Sequence, residues 1–307
     1  MTIAFVSRLD PAFVERWLAA LRRALPKDTV TADTAREAEI AVVANPAPGA
    51  LAGLPRLRFI QSAWAGVETL LADCTIPEDL PLARVIDPEL ADSMAEAVLL
   101  HVLHLHRLGP LYTRQQRERT WIQHPQPPAR ERRVGVMGLG EMGMATVRRL
   151  LDSGFQVSGW SRSGGAHTGV EVFAGEAGLA PFLGGADVVV NLLPLTVETR
   201  GILSARTFAA MREGAALINV ARGGHMVTAD VIAALDDGRL GHAVLDVFEE
   251  EPLPESSPLW SHPKVTLWPH VAARTYPETA AFRIAANIAR FRAGEPVEGL
   301  VDRKRGY

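Results

Sequence analysis

A chain of 307 residues, 48% apolar and 22% charged, is globular and long enough for one large or two ordinary domains. A formal net charge of −3 gives no support to a basic nucleic-acid surface, and a single cysteine, Cys74, excludes an intrachain disulfide and a Cys-rich zinc site. Residues 1–7 read as a short strand rather than the start of a signal peptide, and no run approaches a membrane span. A cytoplasmic protein without membrane or nucleic-acid partners is therefore expected.

In chain order, short β-type runs at residues 3–6, 40–44, 57–61 and 83–86 predict strands, and Asp10-Pro11 predicts a helix start. This alternation predicts an α/β fold with a parallel sheet. Residues 91–107 are apolar at helical spacing. The Arg- and Gln-rich stretch after them, with Pro125, Pro127 and Pro128, predicts an exposed loop. Next, an apolar strand runs into Gly138-Leu139-Gly140-Glu141-Met142-Gly143, a helix follows over residues 142–152, and a strand over 155–160 ends in Ser161-Arg162-Ser163. Further strands are predicted at 188–192, 216–220, 243–247 and 265–267, with helices near 204–211, 228–236 and 277–292. Two α/β units of unequal length, the glycine run in the second, suggest a nested arrangement.

The glycine run has the context of a phosphate-cradling turn. Its glycines allow a tight turn, close backbone approach to a pyrophosphate and close helix–strand packing, and the following helix points its positive end at the same place. The end of the next strand bears on which dinucleotide is bound. An NAD site usually has an Asp or Glu there for the ribose hydroxyls; this chain has Ser161 followed by Arg162, whose planar fork suits a 2′-phosphate. NADP(H) is the expected cofactor, held by Gly138 to Gly143 and by Ser161, Arg162 and Ser163. The alternative for Arg162 is a solvated loop arginine.

Three later strands end in ionisable residues: Ala221-Arg222-Gly223, Asp246-Val247-Phe248-Glu249-Glu250-Glu251-Pro252, and Pro269-His270-Val271. In open α/β sheets the carboxyl ends of the strands face the ligand. An arginine, an acid and a histidine there suit hydride transfer to an α-keto acid: the arginine binds the carboxylate and polarises the carbonyl, the histidine protonates the alkoxide, and the acid orients the ring. Each residue taken singly also has a structural reading, as a surface arginine, an acidic turn, a strand end or a capped turn.

In that order, these motifs resemble the D-isomer-specific 2-hydroxyacid dehydrogenases, and most closely their glyoxylate/hydroxypyruvate reductase A branch. The closer likeness rests on Trp160-Ser161-Arg162-Ser163, Asn191-Leu192-Leu193-Pro194, Ser257-Pro258-Leu259-Trp260 and the terminal Val301-Asp302-Arg303-Lys304-Arg305-Gly306-Tyr307. The resemblance implies two Rossmann-like or flavodoxin-like domains with parallel sheets. It further implies that a nucleotide domain (99–272) is inserted in a split substrate domain (1–98 plus 273–307) and that the protein forms a homodimer. It implies catalytic roles for Arg222 (substrate-binding arginine), Glu251 (acid paired with the histidine) and His270 (proton donor). Asp246, Leu193, Pro194, Val220, Ala221 and His270 then join the glycine run at the dinucleotide, with Asp246 near the nicotinamide carboxamide. The resemblance also implies that the amides of Ala65 and Gly66 hold the substrate carboxylate.

Trp64 stands where the wider family has a small residue, which favours glyoxylate and hydroxypyruvate over bulky 2-keto acids; core packing is its alternative. Trp121 is a second candidate for a substrate site, the neighbouring subunit's included. His101, His104 and His106 lack an accompanying acidic ligand and read as packing residues, so no metal is expected. The expected activity is NADPH-dependent reduction of glyoxylate to glycolate and hydroxypyruvate to D-glycerate. A broader 2-keto acid reductase and a non-catalytic, NAD(P)-sensing corepressor-type protein remain the alternatives.

Overall fold

A computed structural model describes residues 1–32 and 36–307. The first elements are β1 (Thr2–Ser7), α1 (Pro11–Ala24), β2 (Thr29–Thr31), β3 (Ile40–Ala44), β4 (Phe59–Ser62), α2 (Glu68–Leu71), β5 (Leu82–Ala83), α3 (Pro88–His106) and α4 (Gly109–Arg117). They are followed by β6 (Arg133–Met137), α5 (Glu141–Asp152), β7 (Gln156–Ser161), β8 (Glu171–Ala174), α6 (Gly175–Gly185), β9 (Val188–Asn191) and α7 (Ala205–Ala210). The last are β10 (Ala215–Asn219), α8 (Thr228–Asp236), β11 (Leu240–Leu245), β12 (Val265–Leu267) and α9 (Pro277–Ala293).

The chain divides into two compact units, Met1–Leu90 with Thr275–Tyr307, and Ala91–Arg274. In the first, the described strands form a parallel sheet in the order β2-β1-β3-β4-β5. Helix α9 belongs to this unit because its apolar stripe, Ala280, Ala281, Ile284 and Ile288, shares one buried cluster with Ile3, Phe5, Trp17 and Phe59. Polar ties fix its register: Asn287 Nδ2 donates to Gln61 Oε1 at 3.0 Å, Arg16 grips Glu278 at 2.6 and 2.8 Å, and Arg292 grips Asp28 at 2.9 Å.

In the second unit the named strands again pair only in parallel, in the order β12-β11-β10-β9-β6-β7-β8. Counted from β6, this is the doubly wound order 3-2-1-4-5-6 with one further strand, the arrangement that binds dinucleotides where the order reverses. The first unit ends within α3, at Leu90, and the second begins at Ala91. The physical reason is that Met94, Val98 and Val102 pack with Val134, Val136 and Val188 under the second sheet. Among the described residues, no helix is long and apolar enough to cross a membrane.

Three departures from the sequence reading have local causes. The stretch after α3 is not all loop: α4 forms despite its polarity, with Pro110 in its first turn and an Arg114–Glu118 pair one turn apart. The proline segment is tied back to it, His124 to Gln115 at 2.9 Å and the His124 amide to Tyr112 Oη at 3.1 Å. Helix α6 escapes a propensity reading because it carries Pro181 and several glycines; burial of Phe182 and Leu183 holds it. Strands β2 and β8 are short edge strands, of three and four residues, with weak alternation.

Candidate active site

The order reversal lies between β6 and β9. Gly138 leaves β6 with φ +95°, a conformation few L-residues adopt, and a Cβ there would stand 2.7 Å from the Leu192 carbonyl oxygen. A Cβ on Gly143 would overlap the Gly138 carbonyl, so this glycine lets α5 sit tightly on the turn. Beyond Gly140 the space is open. Gly140 is also the N-cap of α5 and supplies no side-chain cap, which leaves the first-turn amides of Glu141, Met142 and Gly143 for an outside acceptor. An uncapped helix start of 12 residues above an open cradle fits a pyrophosphate.

At the end of β7, Ser161 Oγ accepts from the Gly164 amide at 3.0 Å and shapes the turn, while Arg162 and Ser163 are exposed. A residue the sequence reading missed stands close by. The Thr196 hydroxyl at 2.7 Å, with a smaller contribution from the Arg162 charge, holds the Glu198 carboxyl below the usual carboxylate range. No local motif signals Glu198; only folding brings its loop toward Arg162.

The acid–histidine pair forms at neighbouring strand exits, since Leu245 pairs with Leu267 in register. His270 Nδ1 lies 2.7 Å from Glu251 Oε2, and the other carboxylate oxygen accepts from the Phe248 amide at 2.9 Å. Both side chains retain substantial exposure, 48% for His270 and 34% for Glu251, so Nε2 can be reached by a substrate. His270 has φ +54°, a strained conformation for a non-glycine residue, and its surroundings over-determine it. Its amide donates to the Asp246 carbonyl at 2.8 Å, and the amides of Val271 and Ala272 donate to the Asp246 carboxylate at 2.8 and 3.1 Å.

Asp246 is almost completely buried, and burial pushes its carboxyl up against the opposing pull of those two amides and of His270. Asp246 thus anchors the turn that aims His270, a part that the strand-end pattern does not reveal. Arg222 follows β10 in extended backbone, half-buried, with Nη1 donating to the Ala221 carbonyl at 2.7 Å. Val220, Ala221 and Leu193 are buried at the exits of β10 and β9, and Pro194 is half-buried.

In the first unit, Trp64 is held rather than free to swing. Its Nε1 donates to Asn45 Oδ1 at 3.0 Å, its amide donates to Ser62 Oγ at 3.0 Å, and its ring meets Trp17 edge-on at 5.9 Å. Among the described residues, no acceptor meets the amides of Ala65 or Gly66, which are half-buried and fit an anion. Asn45, absent from the sequence reading, has φ +50° and lines a cavity of about 400 Å³ with Arg8, Pro46 and Thr69, at the ends of β1 and β3. Trp121 is 93% exposed. His101 packs against Trp268 and His106 against Phe155, at 4.7 and 5.2 Å between rings.

The family described as D-isomer specific 2-hydroxyacid dehydrogenase, NAD binding domain, matches residues 99–272. A glyoxylate/hydroxypyruvate reductase A from Serratia proteamaculans is 40% identical over 303 residues, 95% of this chain and 96% of that protein. A D-isomer specific 2-hydroxyacid dehydrogenase from Xanthobacter autotrophicus, solved with NADPH and MES, superposes with a TM-score of 0.95 at 42% identity, covering 100% of this chain and 99% of that one. An NADPH-dependent glyoxylate/hydroxypyruvate reductase from Sinorhizobium meliloti, solved with NADP and sulfate, gives 0.92 at 38% identity, with coverage of 100% and 99%.

Proposed function

The chain belongs to the D-isomer-specific 2-hydroxyacid dehydrogenase family as an NADP-dependent oxidoreductase, and from this premise we propose that it reduces small 2-keto acids, glyoxylate to glycolate and hydroxypyruvate to D-glycerate. The observation that carries the reading is the 2.7 Å contact between Glu251 and a solvent-accessible His270, at the strand exits next to the one that bears Arg222. The names of the Serratia and Sinorhizobium relatives supply the substrate class.

The residues of the chain would act as follows. The first-turn amides of α5 receive the pyrophosphate of NADPH, and Ser161, Arg162 and Ser163 receive its 2′-phosphate. The segments Leu193-Pro194 and Val220-Ala221, with Asp246 and His270, line the nicotinamide end. Bound NADPH supplies the hydride that goes to the keto carbon. Arg222 grips the substrate carboxylate and polarises the carbonyl, and the amides of Ala65 and Gly66 are the second set of carboxylate donors. His270 delivers the proton from Nε2, while Glu251 on Nδ1 fixes the orientation of the ring. Trp64, braced by Asn45 and Trp17, limits the size of the group on the keto carbon. The protein works as a homodimer, and the exposed Trp121 is available to a second copy.

NADPH oxidation with glyoxylate, hydroxypyruvate, pyruvate and phenylpyruvate tests the reading. Glyoxylate and hydroxypyruvate are expected to be the best substrates. Preference for phenylpyruvate would point to a broader reductase, and NADPH binding without turnover to a sensing protein. His270→Ala should abolish most turnover while NADPH still binds; near-normal turnover would remove His270 from the proton-donor role.

A further inference from the structure

Three polar side chains that take no part in the scheme above, Asn191, Asn219 and His225, have no solvent exposure at all. They sit at the last residue of β9, the last residue of β10, and three residues beyond Arg222. Together they form one continuous chain of hydrogen bonds. Asn191 Nδ2 donates to Asn219 Oδ1 and to His225 Nδ1, both at 3.0 Å, and Asn191 Oδ1 accepts from the Leu193 amide at 3.3 Å. Asn219 Oδ1 also accepts from the Ala221 amide at 3.3 Å, and Asn219 Nδ2 donates to the Arg222 carbonyl at 3.2 Å. The far nitrogen of His225, Nε2, faces the Pro194 carbonyl at 3.2 Å.

The donor count fixes the orientation of every group. Leu193 and Ala221 offer amide hydrogens, so the oxygens of Asn191 and Asn219 must point at them. Both hydrogens of Asn191 Nδ2 are then spent on Asn219 and His225, so His225 Nδ1 is an acceptor. Its proton resides on Nε2 and goes to the Pro194 carbonyl. Every polar atom of these side chains is thereby used, the condition under which a buried polar network rigidifies its surroundings.

We propose that Asn191, Asn219 and His225 are positioning residues that lock the Leu193-Pro194 segment and the Ala221-Arg222 segment into one rigid body. The seat of the dinucleotide and the backbone of the substrate arginine are then set together. The proposal rests on the functional reading above, and explains why strand ends that could have been apolar carry buried amides and an imidazole. Asn191 is the hub, because it touches both partners and a dinucleotide-side amide. His225 is the tie to Pro194, and Asn219 the tie to Arg222.

Two variants of His225 separate its bonds. His225→Asn can keep the acceptor for Asn191 but loses the donor to Pro194; His225→Gln can keep the donor to Pro194 but loses the acceptor. NADPH affinity is read by fluorescence titration, KM and kcat for glyoxylate at saturating NADPH, and fold stability by urea unfolding. His225→Asn should weaken NADPH binding about 3- to 10-fold, with His225→Gln restoring it toward the wild-type value. Asn219→Ala should raise KM for glyoxylate by a similar factor of about 3 to 10 with little change in NADPH affinity. Asn191→Ala should move both. A fall in the urea midpoint with NADPH affinity, KM and kcat all within about twofold of wild type would reduce the network to a packing role and overturn the proposal. If Asn191→Ala does not fold, the His225 pair decides alone. Wild type that neither binds NADPH nor reduces glyoxylate would sink the functional reading; wild type that does both beside unaffected variants sinks only the positioning role.

Discussion

Glu251 Oε2 meets His270 Nδ1 at 2.7 Å although the two residues lie 19 positions apart, on the exits of adjacent strands. The contact occupies Nδ1, so Nε2 is the ring nitrogen left for proton transfer. Glu251→Gln preserves shape and removes charge, so kcat should fall on the order of 10²-fold, the lower end for general acid catalysis, with NADPH affinity unchanged. Stopped-flow reduction of glyoxylate measures this. Turnover within a few-fold of wild type would mean that His270 needs no partner.

Arg222→Lys keeps a positive charge but loses the planar fork. If Arg222 holds the substrate carboxylate while polarising the carbonyl, kcat/KM should drop by about 10²-fold or more. Steady-state kinetics across a glyoxylate series decides the matter, and unchanged constants would exclude Arg222 from the site.

Arg162 stands at the end of β7 with Glu198 as its neighbour. Removing a charge-assisted contact to the 2′-phosphate in Arg162→Ala should cost NADPH about 1.5–3 kcal/mol relative to NADH, roughly 10- to 150-fold in relative affinity. Glu198→Gln should act oppositely and more weakly, by relieving repulsion of the phosphate. Paired titrations with both nucleotides test the two variants. A wild type that prefers NADH would overturn the role of Arg162.

His101 and His242 are buried, and burial, with a smaller contribution from the His104 charge, pushes both down to about 4. The folded state therefore favours neutral imidazoles, while the unfolded chain takes up protons near pH 6.5. Stability from each is present above that pH and is lost as the pH falls toward 4. By pH 5 the loss should be on the order of 2 kcal/mol per histidine. Urea unfolding at pH 7.5 and 5 checks the sign, and His101→Phe or His242→Gln should flatten the dependence. Equal stability at the two pH values in wild type would refute it.

Much of this arrangement was legible in the chain itself, and what was not is instructive. The glycine run, the strand that precedes it and the ionisable residues at Arg222, Asp246 and His270 are local patterns, readable because a parallel strand followed by a turn imposes period and composition over a few residues. Helix α6 was invisible because its own glycines and proline argue against it, and only the burial of Phe182 and Leu183 overrides them. Which sheet α3 covers could not be read from periodicity, since an apolar stripe does not say what it meets; Met94, Val98 and Val102 pack with Val134, Val136 and Val188.

The amino-acid sequence by itself determined the class of the fold, the position of the glycine turn after β6 and the kinds of side chain at the strand ends. Tertiary structure alone decided which of these side chains meet. Glu251 rather than Glu249 or Glu250 reaches His270, Asp246 spends its carboxylate on the Val271 and Ala272 amides, and Asn191, Asn219 and His225 close a network across two loops. The reason is physical. Periodicity and turn chemistry act along the chain, whereas a hydrogen bond between strand exits depends on sheet register and on a few ångströms of loop path that no local pattern encodes.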